Sequence, residues 1–73
     1  MSDLPWPHLM ANYLARYSRD RNEQQRLWAM LREYPEYDQC REQNLLGATE
    51  TAIFDILDRA MFHMGQRPIQ LAP

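Results

Sequence analysis

The feature that most constrains this chain is a stripe of apolar residues between positions 52 and 64. Apolar side chains recur there at intervals of three and four residues, which places them on one face of an α-helix. Thr49 is suited to cap the start of this helix, and Gly65 followed by Pro68 is suited to end it. The stripe consists of Ala52, Ile53, Ile56, Leu57, Ala60, Met61 and Met64. Because the chain has only 73 residues, its other segments must cover this face.

Two further segments carry apolar faces at helical spacing, so the sequence predicts an all-α domain of three helices. The helices are expected at about 7–18, 21–34 and 45–64. Asp20 followed by Glu23 forms a capping-box pattern at the start of the second helix, and Pro35 ends it. A single bent helix across the first two segments is an open alternative. Residues 35–44 are mostly polar, and we interpret them as a partly helical connector.

The same spacing predicts which side chains form the core. The most buried residues are expected to come from the second and the main helix, with Trp28 packed beside them. This predicted core consists of Leu27, Leu31, Ile53, Ile56 and Leu57. Residues 1–6 are expected to form an N-terminal arm and residues 66–73 an extended tail, with Ile69 and Leu71 against the body or a partner. We predict one domain over residues 1–73.

The size of the chain predicts self-association. A domain this small buries only about 60% of the surface of its unfolded chain, and it often depends on disulfides, a metal or a partner chain. Cys40 is the only cysteine, so an internal disulfide is excluded and a cytoplasmic location is expected. A helical homodimer would hide the remaining apolar surface, with Phe54, Met61 and Phe62 expected near its seam.

Composition and motifs weaken several classes of function. The net charge is −2 and there is no basic block, which argues against a nucleic-acid partner. No apolar run approaches the roughly 20 residues that span a membrane. Asp55 and Asp58 have helical spacing but no accompanying nucleophile motif, and His8, Cys40 and His63 are isolated from one another. We therefore expect no enzymatic activity, no cofactor and no metal.

The strongest functional signal is the width of the apolar surface on the main helix. Its apolar arc covers roughly half of the circumference, more than the ~100° typical of a surface helix. Phe62 lies outside this arc among the charged residues Asp55, Asp58 and Arg59. Exposed apolar surface of this kind marks a contact with another molecule. Trp6 has two interpretations, as a lid on the core or as an anchor for a partner. The candidate partner-binding residues are Phe62, Arg59, Phe54 and Met61 on the main helix, with Trp6 and Met10 near the N-terminus.

These features predict a protein–protein interaction module that acts as a regulator, adaptor or inhibitor of a larger protein. Two alternatives are a DNA-binding transcriptional regulator and a secretion or assembly chaperone that holds an amphipathic helix of its client. The acidic outward face of the main helix argues against the first alternative, because it would repel phosphates.

Overall fold

The computed structural model describes residues 5–69, which form four α-helices joined by short turns. The helices are α1 (Trp6–Leu14), α2 (Arg21–Leu31), α3 (Pro35–Leu45) and α4 (Glu50–His63). The prediction of an all-α fold is confirmed for these residues, which contain no strand. The prediction of three helices is wrong, because the described residues form four. Within the described residues, no helix has both the length and the apolar character needed to cross a membrane.

Short polar side chains and prolines mark the helix starts. The Asp20 carboxylate accepts a hydrogen bond from the Asn22 N–H (3.0 Å), and the Thr49 hydroxyl accepts one from the Ala52 N–H (3.2 Å). Pro7 and Pro35 lie in the first turns of α1 and α3, where a missing N–H breaks no helical hydrogen bond. Residues 15–20 separate α1 from α2, so these segments are two helices.

The additional helix, α3, occupies the segment that was predicted to be a connector. It begins at Pro35, and Glu36 and Asp38 lie in its first turn, where negative charge favours the helix dipole. Its buried stripe is limited to Tyr37 and Cys40. A stripe of two residues is too short to produce a helical pattern in the sequence, which explains why only a partly helical connector was predicted here.

The main helix starts at Glu50, five residues after the start of the predicted range 45–64 and directly after the cap predicted at Thr49. Gly47 has φ = +84°, and the Ala48 N–H donates to the Gln43 carbonyl (3.0 Å), which closes the end of α3. Leu45 and Leu46 therefore belong to the end of α3. Gly65 (φ = +78°) ends α4 in the same way, as predicted.

Buried apolar side chains from all four helices form one core, in which α3 packs along α4 and α1 along α2. It contains Trp6, Leu9, Met10, Tyr13, Leu14, Leu27, Leu31, Tyr37, Cys40, Ile53, Leu57, Ala60 and Met61. Four of the five predicted core residues are fully buried. The exception is Ile56, which is only half-buried and packs against the edge of the core, as Trp28 does.

The segment after α4 leads back to the end of α1. The Ile69 N–H donates to the Arg16 carbonyl at 2.7 Å, and Ile69 shares a groove with Ala15, Arg16, Arg19 and Pro68. Leu71 and most of the predicted N-terminal arm lie outside the described residues.

Candidate partner-binding surface

Phe62 lies on the side of α4 that faces away from the core. Its side chain is 78% exposed, and the ring near it is that of His63, at 6.2 Å between centroids. Arg59, one turn earlier on the same face, is also exposed. Phe62 is therefore a large apolar side chain that contributes nothing to the core.

Phe54 and Met61 occupy different environments from Phe62. Met61 is fully buried, because adjacent helical positions differ by about 100° around the axis. Phe54 is half-buried, and its ring lies 4.9 Å from that of Tyr13 and 5.4 Å from the Arg16 guanidinium. The structure thus does not bring the three residues together on one exposed surface.

Trp6 and Met10 also lie in the core and do not form an exposed patch. Met10 is fully buried, and Trp6 is 8% exposed at the core edge, where a lid would be. Either side chain would have to leave the core to contact a partner as the sequence predicted.

Trp6 belongs to a group that sequence reasoning missed. The indole N–H groups of Trp6 and Trp28 both donate to the Tyr37 hydroxyl oxygen, at 2.9 and 3.0 Å. The Arg41 guanidinium lies 5.1 Å from the Trp6 ring centroid, and that of Arg32 lies 5.0 Å from the Trp28 ring. We refer to these five residues as the aromatic–arginine cluster. It joins α1, α2 and α3.

The protonation behaviour of Tyr37 reflects the donors around it. Burial alone would raise the pKa of this phenol, but hydrogen bonds from the two indoles and the nearby guanidinium groups of Arg41 and Arg32 hold the pKa below its ordinary value.

A second polar cluster ties α1 to α4. The Tyr13 hydroxyl donates to the Asp58 carboxylate at 2.6 Å, and the Tyr17 hydroxyl donates to the same oxygen at 2.9 Å. Burial, followed by the hydrogen bond to Asp58, raises the pKa of Tyr13 far above its ordinary value. Asp58 was expected on the charged outer face with Phe62. Its carboxylate instead reaches sideways to α1, where its role is structural.

Two further exposed apolar residues lie at the α3–α4 turn. Leu45 is 80% exposed and Leu46 is 74% exposed. The intervening helix α4 is about 21 Å long at 1.5 Å per residue. These leucines and Phe62 are therefore separate apolar sites near opposite ends of α4.

The remaining candidate for chemistry is Cys40. Its thiol is fully buried and donates to the Ile53 carbonyl at 3.5 Å, and burial raises its pKa to about 11. A protonated thiol without access to solvent is a poor nucleophile.

Glu36 and His63 lie 3.6 Å apart, an ion pair when the histidine is protonated. No three His, Cys, Asp or Glu side chains within residues 5–69 are placed to hold a metal ion.

Comparison of the chain with protein-family models, with curated proteins and with solved structures finds no match.

Proposed function

We propose that this protein is a protein–protein interaction module that regulates or inhibits a larger protein and contacts it through the C-terminal half of α4. The observation that carries the proposal is the 78% exposure of Phe62 on a charged helix face. Aromatic and arginine side chains dominate the binding energy of interfaces, and Arg59 lies one turn from Phe62 on the same face.

The area of this site indicates how the partner must be shaped. An aromatic side chain contributes roughly 150–250 Å², whereas a stable interface buries about 800 Å² on each side. Phe62 can therefore serve as the central anchor of an interface but cannot form one alone. The partner must extend over the neighbouring charged positions, including Arg59 and Asp55.

Self-association is part of the proposal, with a seam that differs from the one expected. Met61 is buried and Phe54 is held by Tyr13 and Arg16, so Phe62 is the member of the predicted seam that remains available. In a two-fold dimer each subunit uses the same patch, so the Phe62 rings of both subunits would lie near the axis.

The first test separates binding from folding. Phe62→Ser should leave the helical circular dichroism and the melting temperature almost unchanged, since the ring makes no core contact. Phe54→Ser is the matched control, which should lower the melting temperature because its ring packs on Tyr13. A loss of helicity in Phe62→Ser would place this ring in the folding core and overturn the proposal.

The second test captures the partner. A photocrosslinking phenylalanine analogue at position 62 should yield a discrete adduct in cells, and the analogue at the exposed position Arg26, on the side of α2 opposite Trp28, should not. The captured protein, once purified, should bind Phe62→Ser about 30-fold more weakly than wild type, as expected for the loss of about 2 kcal/mol at a hot spot. Equal affinity for both proteins would contradict the assignment of Phe62 as the anchor.

A further inference from the structure

The aromatic–arginine cluster gathers two positive charges around one tyrosine. Arg32 lies over the Trp28 ring and Arg41 over the Trp6 ring, and both indoles donate to the same Tyr37 hydroxyl oxygen. Neither arginine forms an ion pair with any of the described residues, in contrast to Arg26, which pairs with Glu23. Like charges in one cluster repel each other, and an anion bound near both would reduce the repulsion.

The aromatic rings position the two guanidinium groups. The guanidinium carbons of Arg32 and Arg41 lie 5.0 and 5.1 Å from the ring centroids of Trp28 and Trp6. A cation–π contact of this kind pairs no guanidinium N–H with an acceptor atom, so the N–H groups can make a two-point contact with a carboxylate. The Tyr37 oxygen fixes both indoles through its hydrogen bonds, so the rings are ordered before any ligand arrives.

The surface around Trp28 extends this site along α2. Two adjoining shallow grooves, of about 230 and 270 Å³, share Trp28 and Gln25 in their walls. Arg21 lines the first groove and Arg32 the second, and no acidic residue lines either one. The path from Arg21 to Arg32 along the helix is about 16 Å, which an extended peptide of about five residues covers.

We propose that Arg32 and Arg41, framed by Trp28 and Trp6, form a carboxylate-binding site for a short acidic segment of the partner protein. The segment lies over Trp28 with a further carboxylate near Arg21. This proposal rests on the function proposed above, that the protein binds another protein, but it uses a surface that does not include Phe62.

A carboxylate-bearing segment fits this surface better than a nucleic acid does. A phosphate backbone carries a charge at every nucleotide and is bound by an extended basic surface. Here the chain has a net charge of −2, and the basic groups of this site are confined to three arginines beside two indoles.

The test uses the two indole N–H groups as reporters, since the chain has only two tryptophans. The ¹⁵N-labelled protein is titrated with a hexaglutamate peptide, and hexaglutamine serves as the neutral control. Hexaglutamate should shift both indole signals saturably, and the affinity should fall as salt is added. The absence of a shift, or an equal response to hexaglutamine, would overturn the proposal.

Matched arginine variants localise the effect. Arg32→Gln and Arg41→Gln should each weaken hexaglutamate binding about tenfold, the loss of one charge-assisted hydrogen-bonded contact. Arg26→Gln removes the same charge from the opposite side of α2 and should change the affinity less than about twofold. Equal losses in all three variants would mean that net charge alone attracts the peptide, which would overturn the site.

Two further arms separate this proposal from its alternatives. Hexathymidylate should bind more weakly than hexaglutamate, and tighter binding of the oligonucleotide would overturn the acidic segment as the occupant. Phe62→Ser should bind hexaglutamate like the wild type. If crosslinking at position 62 captures nothing while hexaglutamate still binds at the arginines, the role of Phe62 fails and the carboxylate site stands.

Discussion

Asp58 and Asp55 are both acidic residues of α4, but their side chains have different environments. Asp58 accepts hydrogen bonds from two tyrosine hydroxyls of the α1 segment, whereas Asp55 is exposed and has no hydrogen bond within residues 5–69. Hydrogen bonds to a charged group contribute about 1.5–3 kcal/mol. We therefore expect Asp58→Ala to lower the free energy of unfolding by about 2 kcal/mol, measured by urea denaturation.

Asp55→Ala is the control for this prediction, because it removes the same charge from the same helix. Its free energy of unfolding should stay within about 0.5 kcal/mol of wild type, as for most surface substitutions. Equal effects of the two variants would mean that the contacts of Asp58 with Tyr13 and Tyr17 contribute nothing measurable.

Helix α4 offers a second matched pair in Leu57 and Ile56. Leu57 is fully buried and Ile56 is half-buried at the edge of the core. Truncation of a buried leucine costs about 2–5 kcal/mol through lost burial and the cavity left behind. Leu57→Ala should thus reduce the free energy of unfolding by about 3 kcal/mol, and Ile56→Ala by less than half of that, in the same urea measurement. A larger loss in Ile56→Ala would contradict the orientation of α4.

Prediction from the sequence succeeded where an element has a long apolar pattern. The face of α4, the cap at Thr49 and the end at Gly65 follow from residues that are neighbours in sequence. Helix α3 has only two buried residues, Tyr37 and Cys40, so its helical nature depends on packing against α4 and is not visible in the pattern.

The candidate sites were predictable to different degrees, because only contacts between residues close in sequence produce a visible pattern. The exposure of Phe62 follows from its angle on α4, which spacing gives directly. The aromatic–arginine cluster joins Trp6 to Tyr37 across 31 positions. No local pattern indicates such a pairing. The spacings Trp28–Arg32 and Tyr37–Arg41, each four residues apart, are the signals in the sequence that favour it.

The stability of the whole molecule should decrease in alkaline solution. Burial raises the pKa values of Cys40, to about 11, and of Tyr13 and Tyr17, so the folded state holds these protons more tightly than the unfolded state. The stability that these protonated groups contribute is fully present below the ordinary thiol pKa of 9.0. It is lost as pH rises from the ordinary thiol and phenol pKa values, 9.0 and 10.0, through the raised pKa values of the folded state. Tyr37 opposes this trend, since its pKa is lowered.

Urea unfolding at several pH values between about 8 and 11 measures this dependence. In Tyr13→Phe the decline above the phenol value should be shallower, because that variant has one fewer raised pKa. A stability that stays constant over this range would contradict the burial of these hydroxyl and thiol groups.

We also expect the protein to form a dimer in solution. Light scattering at micromolar concentration should give twice the 8.8 kDa mass of the chain, and Phe62→Ser should give the mass of one chain. A wild-type protein that remains a monomer would contradict self-association while leaving the binding of a different protein through Phe62 open to the crosslinking test.

The bond between Tyr13 and Asp58 spans 45 positions of the chain, which has a consequence for biosynthesis. Tyr13 leaves the ribosome early, but its acceptor and the buried face of α4 are made much later. Until the chain has extended past Met61, Leu57 and Ala60 are either not yet made or still inside the ribosomal tunnel. Helices α1 and α2 then have no completed core to join. The apolar faces of the first helices therefore remain open to chaperones until α4 has been made and has emerged, because the core is complete only with its side chains.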